Sequence, residues 1–481
     1  MSHQARDTTS RPFYLVAVHG GAGYHSPVSD SSVNRNLRAA ISSTLATFAV
    51  TTAPVIGAAS STIDNTHSSG SSSALDAVTT LIAALEDAPD FNAGYGSNLT
   101  FDGDVECDAS LMSSTAEDGD GDGDGMTVEG STAHPHVYPP SSPPSPSSFS
   151  FGSVGAVPGV RNPVLLARRV LEGRRRRRPQ RREPEQASGP GRDLGLGLGT
   201  GTGTGTGTGM GRVPPLMLVG EGAVRFARAQ GVPVVDSPRE MVAPRAREEW
   251  AVWRERLGRW KGEERASAWA PAEGGGGPSD HDPETLGIMP VDARQDTVGA
   301  VVLVGGDDVR RQERQVAAGV SSGGLLLKHP GRVGEAAIFG AGCWAERSSG
   351  GRSVACSVSG QGELIVQSSL ARTLAERIAA SAEDEDGHDI LRSVLVDQFY
   401  GRWRQRGEHQ PAVGVLLITQ GMNGSEHTAR LWCAFTTQSM AIAYASSRHP
   451  KPKATVLRNT AHEFRNDDDG RPPLFIASFP C

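Results

Sequence analysis

The apolar positions of this chain fall into three islands, separated by long stretches that carry almost none. The first island opens on Phe13-Tyr14-Leu15-Val16-Ala17-Val18, an unbroken apolar run that stops at His19-Gly20-Gly21-Ala22-Gly23. A run without alternation predicts a strand buried on both faces. Helices are predicted over 36–48 and from Ser73, where Ser73-Ala74-Leu75-Asp76 has capping-box spacing with Asp in place of the usual Glu or Gln. Val78, Leu81, Ile82 and Leu85 then recur at helical spacing until Pro89. The second island begins near Val154. There Asn162-Pro163, an N-cap residue before an N1 proline, heads a helix over 164–172, followed by a short strand over 216–219 and a helix over 221–229. The third island runs from Asp296 onward. Apolar runs at 297–304 and 314–321 flank Gly305-Gly306-Asp307-Asp308, a hairpin signal. Helices over 363–380 and 390–400 and strands near 413–418, 431–436 and 440–445 complete it. Strands and helices mixed with hairpins indicate a layered α+β architecture and not a bundle.

The stretches between islands, at about 113–150, 173–212 and 241–293, change the picture of domain organisation. They hold a Gly-Asp repeat with a Ser-Pro tract, five consecutive arginines (Arg174–Arg178) with a Gly-Thr repeat, and a third gap. The 59 glycines and 31 prolines of the 481 residues cluster there. The chain therefore reads as one large domain with low-complexity insertions. Asp118, Asp120, Asp122, Gly123 and Glu129 match a calcium-loop spacing, but a Gly-Asp repeat generates that match by itself, and Gly125 stands where the loop needs an apolar residue. No aromatic residue interleaves the arginine run, so base stacking is unsupported; a solvated linker and an import signal both remain open.

Charge excludes more than it suggests. Lys and Arg number 47 against 54 Asp and Glu, a net −7, which argues against a protein that holds nucleic acid through bulk charge. No eighteen-residue apolar stretch is present for a membrane span. The first residues lack the apolar core of a secretory signal. Cys107, Cys343, Cys356, Cys433 and Cys481 are scattered without a C-x-x-C pair, against a disulfide scaffold or zinc ribbon and for a reducing compartment. The expectation is an intracellular protein of nucleus or cytoplasm, neither secreted nor membrane-bound.

Candidate chemistry gathers in the third island. His19 among its glycines reads as a residue packed behind a turn, where backbone approaches something closely, and not as a general base. Asp296-Thr297-Val298-Gly299-Ala300-Val301 is the informative segment. It follows a low-complexity stretch, so the Asp296–Thr297 bond stands at a boundary. Beyond it come Ser321-Ser322-Gly323-Gly324, then Lys328-His329-Pro330-Gly331-Arg332-Val333-Gly334-Glu335, then Ser359-Gly360-Gln361-Gly362-Glu363. These loops bring hydroxyls, backbone N–H groups and one guanidinium toward a strand end, as acyl transfer needs.

Together with Asp76-Ala77-Val78, Phe91-Asn92-Ala93-Gly94-Tyr95-Gly96-Ser97, Asp108-Ala109-Ser110, Gly155-Ala156-Val157 and Val219-Gly220-Glu221-Gly222-Ala223, these segments resemble the Thr-type N-terminal nucleophile hydrolases, in the order that family has them. The family comprises the type-2 asparaginases and isoaspartyl peptidases and their relative threonine aspartase. The resemblance implies an αββα sandwich, made as one precursor and cut between Asp296 and Thr297 into subunits 1–296 and 297–481. Two such αβ units would pair as a dimer. It implies that Thr297 is the nucleophile, that Ser322 supplies a hydroxyl beside it, and that Ser359 and Gly360 form the oxyanion hole and contact substrate. Arg332 would anchor a substrate carboxylate, and Asn92 would line the same pocket. No metal or other cofactor is implied. The logic is plain chemistry: a threonine hydroxyl needs a base, and a freed α-amine, pKa roughly 7.7–8.0, is a base on the same residue.

The substrate follows from counting atoms. Asparagine and a peptidyl aspartate both place two carbons between a carboxylate and the scissile carbonyl, so one pocket can take either. Asparagine also carries an ammonium. Asparaginases usually have Asp after Gly-Arg-Val-Gly, where this chain has Glu335, which alters the reach to that ammonium. Lys328-His329-Pro330, Gly342-Cys343-Trp344-Ala345-Glu346, Thr436-Thr437-Gln438-Ser439-Met440 and the Asp at 296 resemble threonine aspartase more. The expectation is an endopeptidase that cleaves aspartate-containing proteins or peptides after aspartate, with hydrolysis of asparagine or β-aspartyl peptides as the alternative.

Overall fold

The computed structural model describes residues 13–51, 73–115, 149–175, 213–269, 297–305, 314–347, 352–382, 385–408, 410–423, 426–460 and 472–480. The calcium-loop match, most of the arginine run, the Gly-Thr repeat and Asp296 lie outside them. Strands β1 (Phe13–Gly23), β2 (Glu106–Ser114), β3 (Ser150–Pro158), β4 (Met217–Val219), β5 (Val298–Gly305), β6 (Gln315–Ser322), β7 (Cys343–Arg347), β8 (Ser353–Gly360), β9 (Val413–Asn423), β10 (Glu426–Phe435), β11 (Ser439–Ser446), β12 (Lys453–Arg458) and β13 (Phe475–Pro480) form two sheets. One has the order β12-β11-β1-β5-β6-β2-β3-β4, the other β13-β10-β9-β8-β7. Helices α1 (Asp30–Thr51), α2 (Ala74–Glu86) and α3 (Pro163–Arg175) cover the outer face of the larger sheet. Two further helices, α4 (Gly220–Ala229) and the longer α5 (Pro244–Trp269), follow β4 and lie beside it and the 99–105 loop. Helices α6 (Gly362–Ser368), α7 (Leu370–Ala379), α8 (Gly387–Arg392) and α9 (Gly401–Gln405), the last two joined by a wider π-type stretch at Ser393–Tyr400, cover the smaller sheet. This is the expected αββα sandwich.

The sandwich explains the unbroken apolar runs. Leu15 and Ala17 of β1, with Val301 and Leu303 of β5, face the second sheet and join one core. Val16 and Val18, with Val298, Ala300 and Val302, face α1 and α2 and join another. A strand between two apolar layers has no polar face to alternate with.

Several elements depart from the sequence-based expectation. β1 does not end at His19: it bulges between His19 and Ala22, with Gly21 at φ 104°, and pairs β11 again through Gly23. The helix expected over 363–380 breaks at Ser369, which takes φ 43°. The N–H groups of Ala371 and Arg372, the first turn of α7, bond instead to the Ala341 and Gly340 carbonyls, which stabilises the break. Part of the third gap, 241–293, is helical. α5 carries no apolar stripe and was therefore unreadable by periodicity. It is anchored at its first turns, where Ala246 packs with Leu99 and Val105 and Trp250 Nε1 donates to the Thr100 carbonyl at 2.9 Å. Arg254 lies over the Phe101 and Trp250 rings.

The head of α3 also differs from expectation. Asn162 holds the N-cap place, but its side-chain amide donates to the Ala83 carbonyl and to Asp87. Pro163 has no N–H to offer, and the next one, Val164 N–H, is taken by the Glu86 carboxylate at 3.0 Å. The same Glu86 oxygen accepts the Ser321 hydroxyl at 2.7 Å, so one fully buried carboxyl ties α2 to α3 and β6. Burial pushes its pKa up to about 8. A carboxyl raised in the folded state contributes stability that is complete below its unfolded value and is lost as pH rises through the folded value. Glu86→Gln removes that loss while keeping an acceptor oxygen. The melting temperature of Glu86→Gln, relative to wild type, should therefore climb steadily between about pH 5 and pH 8. A difference that stays constant over that range would show that the carboxyl ionises freely in the fold.

Candidate active site

The site forms where β5, β6 and β8 end together. Thr297 immediately precedes β5, Ser322 closes β6 and Gly360 closes β8. The register sets this meeting: Val298 pairs Ser321, Gly299 pairs His19 beside the β1 bulge, and Asp108 of β2 pairs Ser322. Asn92, Thr297, Ser322, Arg332, Glu335 and Gly360 line one small pocket, together with Gly324, Leu325 and Gly362. Residues dispersed over more than 260 positions are thus brought together in one place, as the resemblance implied. Ser359 stands next to the pocket with its hydroxyl turned to the β1 bulge, accepting the Ala22 N–H at 3.1 Å.

Thr297 is 2% exposed, and its Oγ1 donates to Glu335 Oε1 at 2.5 Å. Burial raises the Glu335 pKa, opposed by that hydrogen bond and by the Arg332 charge. Arg332 reaches Glu363 with both Nε, at 2.9 Å, and Nη2, at 2.7 Å. Its side chain is 15% exposed, whereas that of Glu363 is 56% exposed, so the pair is open to solvent on the glutamate side. Asn92 supports the far wall: its amide donates to the Gly324 carbonyl at 2.9 Å, its oxygen accepts Asn98 N–H, and its own carbonyl accepts Gly323 N–H. Ser322 Oγ accepts Gly324 N–H at 3.0 Å, closing the same turn. Gly362 has a packing role as well. A Cβ there would collide with Glu335 Oε2 and lie 2.9 Å from Arg332 Nη2.

Two carboxylates that the sequence reading gave no role hold the arginine turn. Glu106 accepts Gly331 N–H and Asp108 accepts Gly334 N–H, each at 2.7 Å, so neighbouring positions on one face of β2 clamp both ends of the Arg332 turn. Asp108 also accepts Ala156 N–H at 2.7 Å. It is wholly buried, and burial raises its pKa against the pull of Lys328. Asp108 stood within a quoted motif. The signal that could have found it was its position in an apolar strand, where a carboxylate needs donors.

His19 behaves as a packed residue. Its Nε2 sits 2.6 Å from Ser357 Oγ, and burial pushes its pKa down to about 3, so the ring is neutral at any working pH. Gly299, opposite it on β5, leaves room for this contact: a Cβ there would collide with Ser357 Oγ and His19 Nε2.

The arrangement can carry out acyl transfer on a substrate with a carboxylate. It sets a buried hydroxyl on a carboxylate, a guanidinium in the same pocket, and backbone N–H groups at the end of β8. Among the described residues no helix is long and apolar enough to cross a membrane.

Comparison with known proteins agrees with this geometry. A family described as asparaginase matches residues 13–121 and 207–393, more than half of the chain. A plant-type L-asparaginase of Pyrococcus abyssi is 32% identical over 384 residues, 80% of this chain and 87% of the relative. An isoaspartyl peptidase/L-asparaginase of Homo sapiens is 28% identical over 68% of this chain and 71% of its own. An isoaspartyl peptidase of Salmonella typhimurium is 29% identical over 63% and 64%. Strand order, pocket and sequence agree, and the chain belongs to the type-2 asparaginase family of N-terminal nucleophile hydrolases.

Proposed function

We propose that the chain cuts itself before Thr297 and then hydrolyses the side-chain amide of L-asparagine and the β-linked bond of isoaspartyl peptides. The observation that carries this reading is the shared pocket of Thr297, Glu335 and Arg332, in a family whose relatives are described as L-asparaginases and isoaspartyl peptidases. Arg332 would take the α-carboxylate and Glu335 the ammonium. The freed Thr297 amine would draw the proton from Oγ1 as it attacks the carbonyl, and Gly360 would meet the oxyanion. The strand order supports lasting union of the two subunits. In the larger sheet β1 lies between β11 and β5, and β6 lies against β2, so subunits 1–296 and 297–481 alternate across it and cannot part without breaking three strand pairings.

One observation favours a second reading, cleavage of peptides after aspartate in nucleus or cytoplasm. Glu335 Oε1 is engaged by the Thr297 hydroxyl, which competes with its use as an ammonium receptor. A peptidyl aspartate brings no free ammonium to that place. Assay of the cut protein separates the two. Ammonia release from asparagine and cleavage of a β-Asp-Leu dipeptide should exceed cleavage of an Asp-Gly peptide by about 100-fold or more in kcat/KM. Cleavage of the Asp-Gly peptide without ammonia release would reverse the assignment.

A further inference from the structure

An amine base on Thr297 exists only after the bond before Thr297 has been cut, so the cut itself needs another base. We propose that Glu335 is that base: in the uncut chain its carboxylate takes the Thr297 hydroxyl proton and starts self-cleavage. The inference rests on the reading of Thr297 as the self-cleaving nucleophile.

The geometry supports it on three counts. Thr297 Oγ1 donates to Glu335 Oε1 at 2.5 Å, and the two residues are 2% and 4% exposed, so the contact is short and shielded. The carboxylate is also held in place. Its turn is pinned by Asp108 through Gly334 N–H, and its Oε2 packs on Gly362, where no side chain would fit. The rival base fails: His19 Nε2 is engaged with Ser357 Oγ, and its low pKa leaves it a weak acceptor. The charged groups around Glu335 are Arg332 on its own turn and Asp108 of β2; Glu363 of α6 has its charge met by Arg332, and neutral His19 of β1 lies against the Thr297 backbone. Burial outweighs the pull of Arg332, and a carboxyl raised toward neutrality is a stronger base than an exposed one.

The step balances. The Oγ1 proton passes to Glu335 as Oγ1 bonds to the acyl carbon of residue 296. The carbon–nitrogen bond then breaks, and Glu335 returns the proton to the departing amine of Thr297. The result is an ester between residue 296 and Oγ1. Water hydrolyses it, giving a C-terminal carboxylate on residue 296, a free hydroxyl and the N-terminal amine.

The test follows full-length chain through cell-free synthesis, with the cut read from gels and the new N-terminus from mass. Wild type should yield a fragment that begins at Thr297. Glu335→Gln should slow the cut by about 100-fold or more, and Glu335→Asp, one methylene shorter, should also be slow. Glu335→Ala should regain cutting as formate is added. A wild type that stays whole removes the parent reading and this one with it. A wild type that is cut, beside a folded Glu335→Gln cut within about threefold of it, overturns the role of Glu335 alone. If the variants do not fold, the wild-type rate against pH decides. It should rise along a single ionisation above the ordinary glutamate value, and a rate that stays flat as pH falls through that ordinary value would overturn the proposal.

Discussion

Thr297→Ala is expected to leave one uncut chain of 50.5 kDa, with hydrolase activity reduced at least about 10⁴-fold. Two losses fall on one substitution. The hydroxyl that attacks is gone, and because the cut never happens, no N-terminal amine forms to serve as its base. Thr297→Ser keeps the hydroxyl and should be cut, more slowly. The γ-methyl of threonine restricts rotation about χ1, and serine loses that restriction together with part of the packing around a residue 2% exposed. Mass measurement of the purified proteins reads the cut directly, and asparagine hydrolysis reads the activity. An uncut Thr297→Ala chain with full activity would remove the N-terminal-nucleophile mechanism altogether.

The sequence carried most of the fold where a pattern had a single physical cause. The apolar runs at 13–18 and 297–304 became adjacent strands β1 and β5, because chain buried on both faces has to be central in a sandwich. The capping box at Ser73 formed as its spacing required: Ser73 Oγ accepts Asp76 N–H, and Asp76 accepts Ser73 N–H. What was illegible depended on partners remote in sequence. Helix α5 has no apolar stripe, so nothing local marked it; Trp250 against Thr100 fixes it. The break at Ser369 exists because carbonyls of residues 340 and 341 take the first N–H groups of α7, and no local propensity encodes that. Glu86 ends α2, and its carboxylate takes the first N–H of another helix, a role that depends on a partner 78 positions away.

The site divides in the same way. The family resemblance carried by the motif segments pointed to Thr297, Asn92, Ser322, Arg332, Glu335 and Gly360, and one pocket holds all six. The roles of Asp108 and Glu106 in clamping the arginine turn, and of Glu363 in engaging the guanidinium, emerged only with the coordinates. Branch assignment within the family rested on short motifs, whereas the relatives are described as L-asparaginases and isoaspartyl peptidases. The contact between Glu335 and Thr297 is the kind of fact no motif contains. A glutamate in place of an aspartate reads as a conservative change, yet here its carboxylate meets the hydroxyl of Thr297.

Arg332→Ala is expected to lower kcat/KM for asparagine by about 10²- to 10³-fold, through a higher KM and a lower kcat. Both should move because, in the proposed reading, the guanidinium would do two things: hold the carboxylate, and by holding it align the carbonyl two carbons away with Thr297. Arg332→Lys should recover little. An ammonium keeps the charge but loses the planar fork that at present serves Glu363 with Nε and Nη2 at once. A structural defect could mimic the loss in kcat/KM, so discrimination is the better readout. Wild type should prefer asparagine strongly over 3-aminopropanamide, which has the amine and the amide but no carboxylate. In Arg332→Ala that preference should fall toward unity, since neither substrate then has a carboxylate partner. Glu363→Gln, by contrast, should preserve the preference, because it frees donors of the arginine without removing them. If Arg332→Ala slows both substrates equally and leaves their ratio unchanged, the guanidinium shapes the loop and does not read the substrate. Carboxylate recognition would then have to reside elsewhere, with the buried Lys328, already bonded to the Glu106 carbonyl and close to Gly324 of the pocket, a cation to test next.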